Sequence, residues 1–372
     1  MILPHNDVIQ FQVHRHGDRS PGVFIDEEGK KHWRQGKRQL TTLGMNQTYH
    51  LGQYLRQRYD GFISKEYLRT FFILCLLLFL IRIRASDQDR AIQSALCVAA
   101  GLYPPFGPQV WNPELNWQPV PIHTRPINQD PVMKPGAYDC PALKDWWKNN
   151  DQKIWDAITQ QNLDLVELIE KETEFRDIRK AYFTLYSRMT HGLPLPEWFS
   201  APTFERLREL ERLDSVLPVD DPIEHTLVAG PLMGNILKLM EDKIEGKLEN
   251  KIRIFSGHQT NVQSLLSLMG VSNNLTVPLA SALLIELHQL SDHKYQVEIL
   301  FRNSTIGAPH RLTFPQCAGQ TEGCPWATFR DTLAPKVIRD IEHMNQECHS
   351  NAHSYQQRHG EGQEEDDLMS NT

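Results

Sequence analysis

The heptad Arg15-His16-Gly17-Asp18-Arg19-Ser20-Pro21 sets one imidazole between two guanidiniums, with a glycine beside it. Guanidiniums offer paired N–H donors to phosphate oxygens, and Gly17 lets the backbone approach a ligand with no side chain in the way. An imidazole in such a cradle can attack phosphorus. A second imidazole, His258, follows Ser256-Gly257, and a third guanidinium opens Arg84-Ala85-Ser86-Asp87-Gln88-Asp89-Arg90. A charge-rich turn at a strand end is the plain alternative for the heptad. Its full composition argues instead for a phosphate pocket.

These residues need strands that end where they begin. The run Val8-Ile9-Gln10-Phe11-Gln12-Val13 directly precedes the heptad, so His16 falls at the carboxyl edge of a sheet, where open α/β folds bind ligands. Ile252 to Ser256 does the same for His258, and the helix expected next, with Val262, Leu265, Leu266 and Met269 on one face, adds N-terminal donors for an anion. A strand near Ile83 leads into Arg84, and a helix from Ala91 to Leu102 follows, preceded by Asp87 and Asp89. Thr41 or Thr42 can cap a helix whose stripe of Leu51, Leu55, Tyr59 and Phe62 is core. Alternation at Leu283, Ile285 and Leu287 and again at Tyr295, Val297, Ile299 and Phe301 predicts an antiparallel hairpin. From about Thr124 to His225 the pattern turns to charged helical segments, such as Leu163 to Glu172, with Trp146, Trp147 and Trp155 nearby. That stretch reads as an α-helical cap inserted into an α/β domain, with Trp198 and Phe199 assigned to packing.

The chain of 372 residues with 40% hydrophobic content is long enough for one α/β domain and such an insertion. Its formal charge is −7, but five acids lie in the tail from His359 onward, which has no Lys or Arg, so the remainder is nearly neutral. Nucleic acid is not an expected partner. The tail, 349–372, reads as disordered, and its His349, His353 and His359 lack ligand spacing, so no metal or cofactor is expected. The apolar run Phe71 to Ile81 has eleven residues, short of the roughly 20 that span a bilayer. Its last part, with the residues after it, reads as a strand, Phe79 to Ile83. Met1 to Asp7 has no basic n-region and no apolar h-region, so no secretory signal is legible in this chain.

The heptad resembles the signature of the histidine phosphatase superfamily, and its Asp-Arg-Ser-Pro ending is similar to the histidine acid phosphatase branch. Gln39 to Met45, Arg84 to Arg90, Trp111-Asn112-Pro113, Trp117 to His123 and Ser256-Gly257-His258 resemble further motifs of that branch, in its order. The animal lysosomal and prostatic-type members are the most similar. The resemblance implies a phosphoglycerate-mutase-like fold, a mixed sheet flanked by helices, divided as an α/β domain over 1–123 and 226–348 and a cap over 124–225. In that family Cys140 and Cys348 match a long-range bridge. Cys317 and Cys324 bracket a short loop with Gly319 and Gly323 that can close as a local disulfide. Free thiols in a cytosolic protein are the alternative for this cysteine count. Asn46, Asn274 and Asn303 begin N-x-Ser/Thr sequons.

What the resemblance implies is an acid phosphatase acting on phosphate monoesters, lysosomal or extracellular and dimeric like its relatives. A leader missing from the chain reconciles that setting with Met1 to Asp7, and a cytoplasmic location stays open. His16 is the implied nucleophile, with Arg15, Arg19, Arg84 and His258 holding the phosphate. The branch carries an acid directly after the second histidine, and this chain has Gln259. An amide cannot protonate a leaving alcohol usefully, and general acid catalysis typically contributes about 10²–10⁴-fold. Turnover is therefore expected to be impaired on alkyl phosphates and less so on aryl ones. A phosphate-binding relative without turnover is the alternative.

Overall fold

The computed structural model describes residues 7–67, 69–71, 77–79, 81–173, 177–290, 294–320 and 323–349. Strand β1 (Asp7–Arg15) is followed by helices α1 (Glu27–His32) and α2 (Thr42–Arg58), a ribbon of β2 (Arg69–Phe71) and β3 (Leu77–Phe79), then β4 (Ile81–Ala85), α3 (Asp89–Leu102) and β5 (Ile122–His123). Helices α4 (Pro141–Trp146), α5 (Gln152–Gln160), α6 (Leu163–Thr173), α7 (Ile178–Thr190), α8 (Ala201–Val216), α9 (Pro222–Glu224) and α10 (Gly230–Ile244) separate β5 from β6 (Ile252–Gly257). After α11 (Gln259–Leu268) come β7 (Ala282–Gln289), β8 (Tyr295–Arg302), β9 (His310–Leu312), β10 (Cys324–Pro325), α12 (Trp326–Leu333) and α13 (Ile341–His349).

The main sheet runs β10-β8-β7-β1-β6-β4-β5, with β9 paired to β8. It is mixed: β1 is parallel to β6 and antiparallel to β7, while β4 is parallel to both β6 and β5. Both faces are buried. Ile9, Phe11, Val13, Phe255, Leu283 and Ile285 pack on one side with Leu232, Ile236, Val262, Leu265 and Phe329 of α10, α11 and α12. Ile83, Ile252, Ile254 and Leu284 pack on the other with Leu51 and Leu55 of α2 and Val98 and Leu102 of α3. The stripe expected on α2 and beyond it is core, with Leu51, Leu55, Tyr59 and Phe62 all buried. Thr41 is its cap, its side chain accepting from the Gly44 N–H at 3.1 Å.

The strand at the end of the apolar run lies two residues farther along than the sequence suggested, at Ile81–Ala85. Phe79 pairs with Arg69 in the ribbon, and the main-sheet strand begins at Ile81. Cys75 lies outside the described residues. No helix among the described residues is long and apolar enough to cross a membrane.

The helices between β5 and β6 carry a hydrophobic cluster of their own, built from Leu165, Val166, Ile169, Leu185 and Leu207, with Trp198 and Phe199 packed against it. Disulfides join Cys140 to Cys348 and Cys317 to Cys324. The first ties the residue before α4 to the last turn of α13, across 208 positions of sequence.

Candidate active site

Parallel pairing of β1 and β6 places Arg15 opposite Gly257. The residues that follow each strand therefore emerge side by side: the His16 N–H donates to the Gly257 carbonyl at 2.9 Å, and the His16 and His258 rings stand 5.6 Å apart, edge to face. Ser86, the residue after β4, joins them through its own N–H to the Ser256 carbonyl at 3.0 Å. Three parallel strand ends make one pocket floor.

His16 Nδ1 lies 2.8 Å from the Gly17 carbonyl. A carbonyl only accepts, so Nδ1 carries the hydrogen and Nε2 keeps a free lone pair in the neutral ring. The ring is held neutral, its pKa well below the usual histidine value, first by burial and then by His258, Arg90, Arg15 and Arg19. His258 has the opposite tautomer. Arg90 Nη2 donates toward its Nδ1 at 3.4 Å, which leaves Nε2–H to donate to Ser86 Oγ at 2.8 Å. Its pKa is also depressed, by burial and then by Lys134, Arg90, Arg15 and Arg19.

Cations crowd around this pair. Burial and neighbouring guanidiniums lower Arg19 to about 9 and Arg90 to about 10, and burial with Arg90 and Arg38 lowers Lys134 to about 8. Arg15 hydrogen-bonds the Val277 carbonyl through Nη1, while its Nε, like that of Arg90, is buried with no hydrogen-bond partner among the described residues. Positive groups that depress one another's proton affinity repel, and an anion placed among them relieves the repulsion. Beside His258 opens a cavity of about 410 Å³, lined in part by Gln88, Met133, Lys134, Trp147 and Thr260.

The structure brings Arg15, His16, Arg19 and His258 together, with Gln259 as the first residue of α11. Arg84, expected as the third phosphate arginine, sits elsewhere. Alternation along β4 buries Ile81, Ile83 and Ala85 on one face and turns Arg84 to the other, where its guanidinium meets the Asp130 carboxylate. Arg90, six residues on in the first turn of α3, occupies the place by His258. Gly17 has a packing role as well. A Cβ there would lie 2.3 Å from the Gly44 carbonyl oxygen, so the glycine lets the heptad loop rest on α2.

Helix α7, between β5 and β6, packs against the heptad loop and the start of α1. The Arg19 guanidinium lies 5.3 Å from the Phe183 ring centre, His191 Nε2 lies 2.6 Å from Asp18 Oδ2, and Arg188 Nη1 lies 2.9 Å from Asp26 Oδ2. Glu211 of α8, only 2% exposed, lies within electrostatic reach of Arg15. Sequence reasoning missed it, although its place in the apolar series Phe204, Leu207, Glu211 marks an acid on the buried face of a helix. Away from the pocket, Glu286, His288 and Glu298 cluster within ligand reach of one another, but Arg58 at 2.6 and 2.7 Å and Tyr59 at 2.7 Å already hold the Glu286 carboxylate.

Known proteins resemble this chain in sequence and in fold. A family model described as "Histidine phosphatase superfamily (branch 2)" matches residues 10–302. Prostatic acid phosphatase of Bos taurus is 34% identical over 340 residues, 88% of this chain and 84% of the relative. Lysosomal acid phosphatase of Homo sapiens is 33% identical over 347 residues, 90% of this chain and 78% of the relative. Among solved structures, the Hafnia alvei phytase in complex with tartrate superposes with a TM-score of 0.64 at 16% identity, covering 90% of this chain and 98% of that one. The latter likeness shows the fold.

Proposed function

We propose, since the chain belongs to branch 2 of the histidine phosphatase superfamily, that it hydrolyses phosphate monoesters through a phosphohistidine on His16. The observation that carries this reading is a neutral His16 whose Nδ1–H is engaged by Gly17, leaving Nε2 free amid Arg15, Arg19 and Arg90. In-line attack by Nε2 on phosphorus splits one difficult displacement into two easier ones. Arg15, Arg19, Arg90 and His258 hold the equatorial oxygens and stabilise the charge of the transition state. Residues 1–123 and 226–348 act as the α/β domain and 124–225 as the cap that shapes substrate access. Neither step calls on a cofactor.

Rapid mixing with a labelled aryl phosphate, quenching in base and mapping of the label tests this. Label on His16 is expected. His16→Ala is expected to abolish turnover while inorganic phosphate still binds to the arginines, and wild-type turnover by that variant would remove His16 as the nucleophile.

The two disulfides, the exposed sequon residues Asn46, Asn274 and Asn303, and the lysosomal relatives support a glycosylated protein of the lysosome or extracellular space. A homodimer belongs to the same reading, and sedimentation of the purified protein decides it. The reading of binding without turnover rests on Gln259 alone.

A further inference from the structure

The reaction proposed above leaves the departing alkoxide without a proton, because position 259 holds an amide. One carboxyl faces that amide. Glu211 of α8 is buried beside Arg15, its Oε1 accepting from Ser215 Oγ at 2.9 Å and its Oε2 from Thr276 Oγ1 at 3.1 Å, with the Gln259 side chain near enough to lower its pKa. Thr276 precedes Val277, whose carbonyl Arg15 grips, so the Glu211 carboxyl and the Arg15 guanidinium are anchored to one short loop. The ionisable and polar groups facing Glu211 are Arg15 from β1, Tyr182 from α7, Gln259 from α11, Thr276 from the loop before β7 and Ser215 from its own helix.

We propose that Glu211 is the proton donor to the leaving alcohol and the base for the incoming water, supplied across the cleft by the cap in place of a carboxyl at position 259. The proposal rests on the phosphohistidine reading. In the first step the His16 Nε2–P bond forms, the P–O bond to the leaving group breaks, and that oxygen takes the Glu211 proton. In the second, water attacks phosphorus and gives its proton to the Glu211 carboxylate, the Nε2–P bond breaks with its electron pair returning to His16, and phosphate departs. The acid is regenerated.

Burial supports the assignment, since it raises the Glu211 pKa above the ordinary glutamate value against the opposing pull of Ser215, Arg15, Thr276 and Gln259. A carboxyl so placed stays protonated to higher pH than a free one, as a general acid requires.

The test compares glycerol phosphate with p-nitrophenyl phosphate. In the unmodified protein the ratio of their kcat/KM values is expected to fall as pH rises through the Glu211 titration, because only the poor leaving group needs the acid; a flat ratio overturns the proposal. Glu211→Gln keeps the shape and an acceptor for Ser215 or Thr276. It is expected to lower glycerol phosphate turnover by about 10²-fold or more and p-nitrophenyl phosphate turnover by far less, and to flatten the ratio, with partial return in Glu211→Asp. Equal losses on both substrates overturn it. A protein that carries label on His16 but hydrolyses glycerol phosphate regardless of Glu211→Gln sinks Glu211 alone, whereas absence of label sinks the phosphohistidine reading and this inference together.

Discussion

His191 at the end of α7 places Nε2 2.6 Å from Oδ2 of Asp18, the acid inside the heptad. Asp18 is 1% exposed and also accepts from Thr41 Oγ1 at 2.6 Å, the same threonine that caps α2. One carboxylate thus joins the end of α7, the heptad loop and the first long helix. His191→Ala leaves that buried acid short of a partner. We expect a loss of about 1–3 kcal/mol in urea unfolding, with a rise in KM for small phosphate esters as the loop loosens. Unchanged stability and KM would show the contact to be idle.

Arg84 and Arg90 are predicted to separate cleanly. Arg90→Ala removes a donor beside the histidine pair, and by analogy with other preorganised donors kcat should fall about 10²–10³-fold with little change in unfolding midpoint. Arg84→Ala instead strands the buried Asp130 carboxylate, which costs about 3–5 kcal/mol of stability when a buried pair is broken. Measuring kcat and urea midpoints for both variants decides the assignment.

Gly17→Ala drives a methyl to within 2.3 Å of the Gly44 carbonyl oxygen, and Gly44→Ala drives one to within 2.1 Å of the Asp18 carbonyl oxygen. Backbone cannot yield as a flexible side chain would. Each variant is expected to lose about 1–3 kcal/mol or more, and to lose activity with it, as the loop lifts from α2. A fully stable Gly17→Ala with intact phosphate binding would contradict this.

His14 is fully buried with neither ring nitrogen hydrogen-bonded among the described residues, and burial lowers its pKa from 6.5 to about 3. Between those values the unfolded chain binds a proton that the folded chain does not. Stability therefore falls as pH falls through that window, by up to about 1.4 kcal/mol per pH unit for this group. His16 and His258 act in the same direction until an anion enters. His14→Leu should reduce the acid slope of the unfolding free energy, and inorganic phosphate should protect most at low pH.

Much of this was readable because strand ends are local signals. The apolar runs before His16 and His258 marked two carboxyl edges, and residue types did the rest. The sequence could not say that β1 and β6 are neighbours in register, which is a pairing across some 240 positions. Arg84 was misplaced for a legible reason: inside a strand, period-two alternation turns it from the pocket, whereas Arg90 stands in the first helical turn beyond the edge. Glu211 and His191 come from helices docked over the site by side-chain packing, and no local pattern announces where such a helix lands. Only the apolar company of Glu211 hinted at it.

The Cys140–Cys348 bridge makes a covalent ring of the chain between them, and that ring carries Glu211, Gln259 and His258. His16, Arg15, Arg19 and Arg90 lie outside it, on an arm whose first strand is sandwiched between β6 and β7 of the ring. The pocket residues are thus divided between two topologically distinct parts, a closed loop and a free end. A protein cleaved once within the loop would migrate as a single species until reduced. One cleaved between Arg90 and Cys140 would release His16 from the ring, held afterwards by sheet hydrogen bonds and packing alone.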